Sequence, residues 1–264
     1  RGAPAVTVME HRDTQRRMLH LGSWYPEGFL ESEVPINSLG DSLLIWYSRT
    51  VVGALAGVGG VLDRPSSVLV LGLGAGTLPA FLHKQFAHSD VAVDCVELHP
   101  GVITAARAAF DLRPTPGKRP GHGSGLGVFA DDCGAFVAQC LRHGVSYDAV
   151  VVDVYGERGM PFRLIDVKFI RQLRKLVSRR RGVVVFNCGN EMRNFDTFVS
   201  TFQWAFPSTH QFAHPDEENH IIVGSSRGGG PRTRVEGTGQ RHRPARHIFP
   251  FFYTRAFPIW TRAT

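Results

Sequence analysis

The sequence VLVLGLGAG, residues 68–76, decides the fold class of this chain of 264 residues. An apolar strand pattern of four residues runs directly into three glycines, at positions 72, 74 and 76. Glycine has no Cβ, so the backbone can turn sharply there and approach a ligand closely. Residues 77–86 then predict a helix, whose first N–H groups would face an electronegative ligand. Tight strand–helix turns also use glycine for steric reasons alone, so the motif needs support from elsewhere.

Strand and helix patterns alternate through the centre of the chain, which predicts a parallel sheet with helices on both faces. The predicted strands are 68–71, 91–96, 128–130, 149–152, 183–186 and a last edge strand at 221–223. The predicted helices are 77–86, 100–110, 133–141, 162–177 and 194–204. The unbroken apolarity of 149–152 indicates a strand buried on both faces.

The pattern divides the chain into three regions. Residues 1–62 are predicted to form strands and a helix leading into the fold, with Asp41-Ser42 capping the apolar run 43–58. Residues 63–224 are predicted to form a Rossmann-like cofactor-binding domain, interrupted by an irregular loop over 113–127. Residues 225–264 are predicted to be a basic, aromatic-rich extension.

Composition excludes several classes of protein. Hydrophobic residues make up 43% of the chain and charged residues 20%, which is typical of a globular domain rather than a disordered or collagen-like chain. No apolar run reaches the roughly 18 residues that a membrane-spanning helix needs. The net charge is +7. Residues 1–224 hold equal numbers of basic and acidic side chains, whereas residues 225–264 hold eight arginines and one acid, Glu236.

Cysteine and lysine usage bear on the compartment. The four cysteines are too scattered for a disulfide framework, which favours a reducing compartment. The sequence begins at Arg1, and only four of its 30 basic residues are lysines. GC-rich coding explains an arginine bias, but removal of an arginine-rich transit peptide explains it equally. We therefore expect a mitochondrial location, with a cytoplasmic one as the alternative.

Four acidic residues strengthen the ligand-site hypothesis because they follow three successive predicted strands. Glu97 ends the second strand, where a carboxylate can accept both ribose hydroxyls of a nucleoside. Asp131 and Asp132 follow the third strand, and Asp153 ends the fourth. The carboxyl ends of parallel strands line the ligand crevice of an open sheet. Asp131 or Asp132 could instead cap the helix that begins at Cys133.

These residues resemble a known family. The runs VLVLGLGAGTLPAFLHKQF, DCVELHPGVITAARAAF, FADDCGAFV and YDAVVVDVYG are similar to the spermidine synthase-like branch of class I S-adenosylmethionine-dependent transferases. They also resemble the C-terminal domain of the elongation-factor lysine and N-terminal methyltransferase. The resemblance implies a doubly wound sheet of seven strands that binds S-adenosylmethionine or its decarboxylated form.

The resemblance also assigns roles to residues. It implies that Gly72, Gly74 and Gly76 pass close to the methionine part of the cofactor, and that Glu97 holds its ribose. It places Asp131 at the adenine amino group, with Asp132 beside it. Asp153 would lie next to the transferred group, and Asp153 and Tyr155 are the candidate catalytic residues. His83, His99 and His143 lack the spacing of metal ligands, so we expect no metal site.

Departures from the family pattern leave the function open. Spermidine synthases carry an acid at the position of Ala75 and a second acid near Gly156, where Glu157 is the nearest candidate. Many methyltransferases carry an acidic residue at the position of Val70. We therefore expect a methyltransferase-like protein that acts on protein or RNA, with weak or lost cofactor binding as one outcome. The alternative is a catalytically inactive structural subunit of a mitochondrial assembly, such as the ribosome or a respiratory complex. An aminopropyltransferase is the third possibility.

The C-terminal extension interleaves cations with aromatic side chains. Six aromatic residues lie within residues 249–260, and leaving them all in water would be costly at about 25 cal/mol per Å². Such a segment suits phosphate neutralisation and base stacking, or packing in a protein groove. We expect it to contact a protein or ribonucleoprotein assembly; a solvated, disordered tail is the simpler alternative.

Overall fold

The computed structural model describes residues 5–22, 29–36, 38–64, 66–155, 159–189, 192, 194–214 and 219–226. The predicted extension therefore lies outside the described residues beyond Ser226, and so does Glu157. Among the described residues, no helix has both the length and the apolar character needed to cross a bilayer.

The chain begins with a small antiparallel sheet and a helix. Strands β1 (Val6–His11), β2 (Arg16–Leu21) and β3 (Phe29–Pro35) pair in that order, and helix α1 (Trp46–Gly59) follows. Helix α1 starts after Ile45, whose side chain makes no capping hydrogen bond. The predicted cap at Asp41-Ser42 is therefore wrong, because the backbone stays irregular up to residue 45.

A seven-stranded sheet forms the centre of the molecule. Its strands are β4 (Ser66–Leu71), β5 (Val91–Glu97), β6 (Leu126–Ala130), β7 (Ala149–Val152), β8 (Val183–Gly189), β9 (Ser208–Ala213) and β10 (Asn219–Ser225). They lie in the order β6-β5-β4-β7-β8-β10-β9, and β10 runs antiparallel to both of its neighbours. The remaining pairs are parallel. The expectation of a doubly wound, mainly parallel, seven-strand sheet is confirmed.

Helices cover both faces of this sheet. They are α2 (Thr77–Gln85), α3 (Pro100–Ala109), α4 (Cys133–Arg142), α5 (Val167–Leu176) and α6 (Phe195–Ala205). Helices α1, α2 and α3 pack on one face, where Val68 and Val70 point, and α4, α5 and α6 pack on the face of Leu69 and Leu71. The continuous apolar run at 68–71 follows from this arrangement, because β4 has no side that faces water.

Two element predictions were wrong. The strand predicted at 221–223 is not an edge strand, since β9 pairs with β10 on its outer side. The predicted helix at 162–177 divides into a 3-10 turn, Phe162–Leu164, and helix α5, which starts where Asp166 accepts a hydrogen bond from the Phe169 N–H at 2.7 Å. An N-cap carboxylate of this kind fixes a helix start.

A buried ion pair anchors the long loop between α3 and β6. Lys118 Nζ lies 2.9 Å from Asp94 Oδ1, and the two side chains are only 3% and 2% exposed. The other oxygen of Asp94 accepts hydrogen bonds from the Tyr147 hydroxyl at 2.8 Å and the Gly121 N–H at 2.6 Å. Gly127 leaves room for this carboxylate, since a Cβ there would lie 2.6 Å from Asp94 Oδ1.

We expect Lys118→Met to lower the free energy of unfolding by about 3–5 kcal/mol, because it leaves the Asp94 charge buried without its partner. Urea denaturation measures the loss. Lys84→Met is the matched control: Lys84 pairs with Asp41 at the surface, where an ion pair contributes about 1 kcal/mol at most. Equal losses for the two variants would contradict a stabilising role for the buried pair.

Candidate functional site

The glycine bend between β4 and α2 forms the floor of the candidate site. Gly72 has φ +100°, and a Cβ at this position would lie 1.9 Å from the carbonyl oxygen of Asp153. Gly76 has φ +84°, and a Cβ there would lie 2.8 Å from Leu112 Cδ1. At Gly72 both the conformation and the Asp153 carbonyl exclude a side chain, whereas at Gly76 the conformation disfavours one and the Leu112 side chain would have to move. The bend therefore touches the end of β7 directly.

Hydrogen bonds from two directions hold the bend in place. The Leu73 N–H donates to Glu97 Oε2 at 3.2 Å, and the Ala75 N–H donates to Ser32 Oγ of β3 at 3.0 Å. Ala75 itself is buried in an apolar cluster with Leu19, Val34 and Phe110. The position that carries an acid in spermidine synthases is thus packed against the N-terminal sheet, and its environment offers no water to a carboxylate.

The predicted nucleoside residues lie next to the bend. Glu97 is 8% exposed, and its Oε1 accepts a hydrogen bond from the His99 N–H at 2.8 Å. The Asp131 N–H donates to the Glu97 carbonyl oxygen at 3.1 Å, so the ends of β5 and β6 are adjacent. Among the described residues, each oxygen of Glu97 accepts one hydrogen bond, which leaves a further lone pair for a ligand hydroxyl.

Asp132 has a structural role in this arrangement. Its Oδ1 accepts a hydrogen bond from the Ala135 N–H at 3.1 Å and caps α4. Its Oδ2 pairs with Arg163 at 2.6 Å. The capping alternative raised by the sequence thus holds for Asp132, whereas Asp131 Oδ1 bonds only the neighbouring Asp132 N–H among the hydrogen bonds of the described chain.

A cavity of about 320 Å³ opens beside the bend. Its lining combines the bend and the start of α2 with residues of β3, β4, α1, β8 and β10 and of the segments before α1 and after β7. These residues are Ser32, Glu33, Leu44, Ile45, Tyr47, Ser48, Val70, Gly72, Leu73, Gly74, Thr77, Leu78, Pro79, Asp153, Tyr155, Gly159, Asn187, Gly189 and Asn219. Both predicted catalytic residues, Asp153 and Tyr155, are in this lining. The predicted nucleoside residues Glu97, Asp131 and Asp132 are not part of this lining.

Asp153 stands at the centre of a polar network. Asn187 Nδ2 donates to Asp153 Oδ1 at 2.8 Å, and Asn219 Nδ2 donates to Asn187 Oδ1 at 2.8 Å. The Tyr155 hydroxyl donates to the Asn187 carbonyl oxygen at 3.0 Å, and the Tyr47 side chain bonds Asp153. Burial raises the pKa of the Asp153 carboxyl above its ordinary value, although the bonds from Asn187 and Tyr47 partly oppose the rise.

Sequence reasoning missed several residues of this cavity. Tyr47, Asn187 and Asn219 contact Asp153 or its partner, yet none belongs to a recognisable motif. Asn187 could have been noticed in the sequence, because it follows four apolar residues of strand β8. In the structure its side chain is 1% exposed. Buried amides are almost always hydrogen-bonded, so a polar residue in such a run indicates a partner across the sheet.

Comparisons with known proteins agree with this geometry. No protein-family model matches the sequence. The chain is 24% identical over 160 residues to a polyamine aminopropyltransferase of Vibrio vulnificus, and 26% identical over 170 residues to the human eEF1A lysine and N-terminal methyltransferase. Each match covers 61% of this chain. The chain spans only 50% of the Vibrio protein and 23% of the human one.

Superposition on solved structures identifies the type of fold. A probable spermidine synthase from Corynebacterium glutamicum superposes with a TM-score of 0.69 at 17% identity, over 88% of this chain and 80% of that one. The chain has a class I S-adenosylmethionine-dependent methyltransferase fold of the spermidine synthase-like type. Human Methyltransferase-like protein 13, solved in complex with SAH, superposes with a TM-score of 0.61 at 18% identity, over 79% of this chain and all of that one (100%).

We expect Gly72→Ala to destabilise this methyltransferase-like domain by about 2–4 kcal/mol, because alanine meets both an unfavourable φ and the Asp153 carbonyl. Gly53→Ala is the control. Gly53 lies inside α1 with nothing within 4 Å of an added Cβ, so alanine should stabilise the helix by about 0.5–1 kcal/mol. Urea denaturation of the two variants measures both changes, and a Gly72→Ala variant as stable as the wild type would refute the close approach.

We expect Asp153→Asn to raise the melting temperature at pH 8 and to lose this advantage towards pH 4. The folded state holds the Asp153 proton more tightly than the unfolded chain, so the stability of the wild type falls as the pH rises from the ordinary aspartate pKa through the raised one. A gain of about 2–4 °C corresponds to 1 kcal/mol in a domain of this size. Asp13→Asn, at an exposed turn, is the control variant in the same melting series.

Proposed function

We propose that the protein is an S-adenosylmethionine-dependent methyltransferase that acts on a protein amine. The observation that carries this proposal is the position of Asp153. Its carboxylate lines the same cavity as the glycine bend, and burial raises its pKa. The printed name of the human relative supports a protein acceptor, since it describes a methyltransferase of a lysine and an N-terminus.

The residues around the bend fit the proposed cofactor. Thr77 Oγ1 is buried, and no described residue forms a hydrogen bond with it. It lies at the start of α2, where the first N–H groups have no partner within the helix and favour an anionic group such as a carboxylate. These groups would hold the carboxylate of the cofactor's amino-acid half, whereas the acid that is absent at Val70 would have held its ammonium group. Glu97 would accept the ribose hydroxyls, and Asp131 would face the adenine amino group.

The chain's own groups would then manage the acceptor. Bound S-adenosylmethionine supplies a methyl group on a cationic sulfur, ready for displacement by a neutral amine. Asp153 accepts the proton that the acceptor nitrogen must lose, and its raised pKa makes it a stronger base than an exposed aspartate. Asn187 and Tyr47 fix the direction of the carboxylate. Glu33, on the cavity wall, is paired with Arg16 at 2.8 Å, so Asp153 is the unpaired carboxylate among the described cavity residues.

Polyamine synthesis is less well supported by this cavity. A diamine substrate with two charges needs carboxylates to offset its loss of hydration. Asp153 and Glu33 are the acidic side chains among the described cavity residues, and Arg16 already neutralises Glu33. Ala75 is buried among apolar side chains where spermidine synthases carry an acid.

The inactive structural subunit remains the second candidate because two positions that carry acids in active relatives are Val70 and Ala75. For this candidate, the mitochondrial location and the assembly partner are predictions. Calorimetric titration separates the two candidates, since a structural subunit has no need to bind the cofactor.

We expect the wild type to bind S-adenosylmethionine saturably and to transfer a labelled methyl group to protein. Glu97→Ala should weaken cofactor binding about tenfold or more through loss of the charge-assisted ribose bonds. Asp153→Asn should change cofactor affinity little while lowering the rate about 100-fold or more. The rate of the wild type should rise with pH through the pKa of Asp153.

The control for these variants is Asp13→Ala, which alters an exposed carboxylate that is not part of the cavity lining. Absence of binding at millimolar cofactor would overturn the proposal in favour of the structural subunit. Product formation with decarboxylated cofactor and a diamine, but not with S-adenosylmethionine and protein, would overturn it in favour of an aminopropyltransferase.

A further inference from the structure

The outer face of α5 and the turn that follows it concentrate positive charge. Residues 167–182 contain seven basic side chains and no acidic one. Lys168, Arg171 and Lys175 are exposed and lie three and four positions apart, so they form one stripe along the helix. Arg179, Arg180 and Arg181 extend the exposed charge into the turn before β8. We call these six side chains the α5 basic face.

This face is not neutralised by its surroundings. Within the part of the chain that the structure describes, the ion pairs join other residues, and none includes a member of the α5 basic face. Residues 1–224 are neutral in sum, so a local excess of this size requires the acidic residues to lie elsewhere. The charge is therefore segregated on the surface, which creates a field that attracts polyanions.

An exposed aromatic ring belongs to the same surface. Trp204 of α6 is 67% exposed, and the Arg171 guanidinium lies over its ring at 4.9 Å from the centroid. A large apolar ring normally packs inward, so one held at the surface beside a cation indicates a contact surface. Arginine beside an aromatic ring is the combination on which unpaired bases stack while their phosphates are neutralised.

The last described residue, Ser226, also lies next to the α5 basic face. The Ser226 N–H donates to the Gly182 carbonyl oxygen at 2.8 Å, and Ser226 Oγ donates to the Ser178 carbonyl oxygen at 2.8 Å. The eight arginines of residues 227–264 therefore continue the sequence from a point beside Arg179–Arg181.

We propose that the α5 basic face, with Trp204, binds single-stranded RNA. The charge recognises the phosphates and Trp204 offers a stacking surface for a base, and contacts of these two kinds are tolerant of sequence. An acidic protein would match the charge but gives no reason for an exposed ring beneath Arg171. This surface lies on α5 and α6 and includes no residue of the cavity lining, so the proposal is independent of methyl transfer.

The test measures binding of the full chain to a fluorescently labelled, unstructured 20-nucleotide RNA by anisotropy, without cofactor and over a range of salt concentrations. Arg179→Gln/Arg180→Gln/Arg181→Gln should weaken binding about tenfold or more and reduce the slope of log K against log salt by about 2, at 0.7 per phosphate contact. Trp204→Ala should weaken binding about fivefold or more while leaving the salt slope unchanged.

The matched control removes three exposed arginines on other surfaces, Arg12→Gln/Arg107→Gln/Arg119→Gln. Its net charge equals that of the test variant, and the arginines of residues 227–264 are common to both, so a difference belongs to the α5 basic face. Equal weakening by the two triple variants would overturn the proposal. It would also fail if poly-glutamate or anionic vesicles bound as tightly as RNA and Trp204→Ala changed nothing.

Discussion

The close approach of Gly72 to the Asp153 carbonyl is the contact on which the site depends. Strands β4 and β7 are parallel neighbours, and their carboxyl ends can meet this closely because residue 72 has no side chain. The same contact places the Asp153 carboxylate beside the bend. A cofactor seated on the glycines and an acceptor next to Asp153 would therefore be brought together by backbone geometry before any substrate contact forms.

The second constraint is electrostatic. Asp153 is held in a buried network where its charged form is disfavoured, and Asn187 and Tyr47 offset only part of that cost. An apolar residue at position 153 would avoid the cost of desolvating a carboxylate. Keeping a basic carboxylate in the cavity therefore lowers the stability of the fold. Asp94 shows the opposite case, since its charge is paired with Lys118 and anchors a loop. Among the described residues a lysine pairs with Asp94, whereas no ion pair includes Asp153, and that difference separates a candidate reactive group from a structural one.

The predictable parts of the fold share a short-range cause. Strands β4 and β7 are apolar throughout because both of their faces are covered, and the glycines of the bend are required by local conformation. Strand β9 was missed because its sequence, STHQFA, is largely polar, as suits an edge. The partners Asn187 and Asn219 were missed because their meaning depends on pairing between β8 and β10, which lie 32 residues apart in sequence at this contact. The sequence pattern within one strand does not specify which residues of another strand it pairs with.

The net charge of a sequence says little about how charge is distributed over the folded surface. Counting along the chain placed the whole excess in the C-terminal extension and made residues 1–224 neutral. The fold then gathers six cations of the neutral part onto one helix face and the adjoining turn, with Trp204 beside them and the start of the extension next to them. Neutrality in sum is compatible with a strong local field, because fields depend on the separation of charges and not on their total. An arginine bias that GC-rich coding explains in the sequence therefore acquires a physical consequence once the helix assigns those arginines to a single surface.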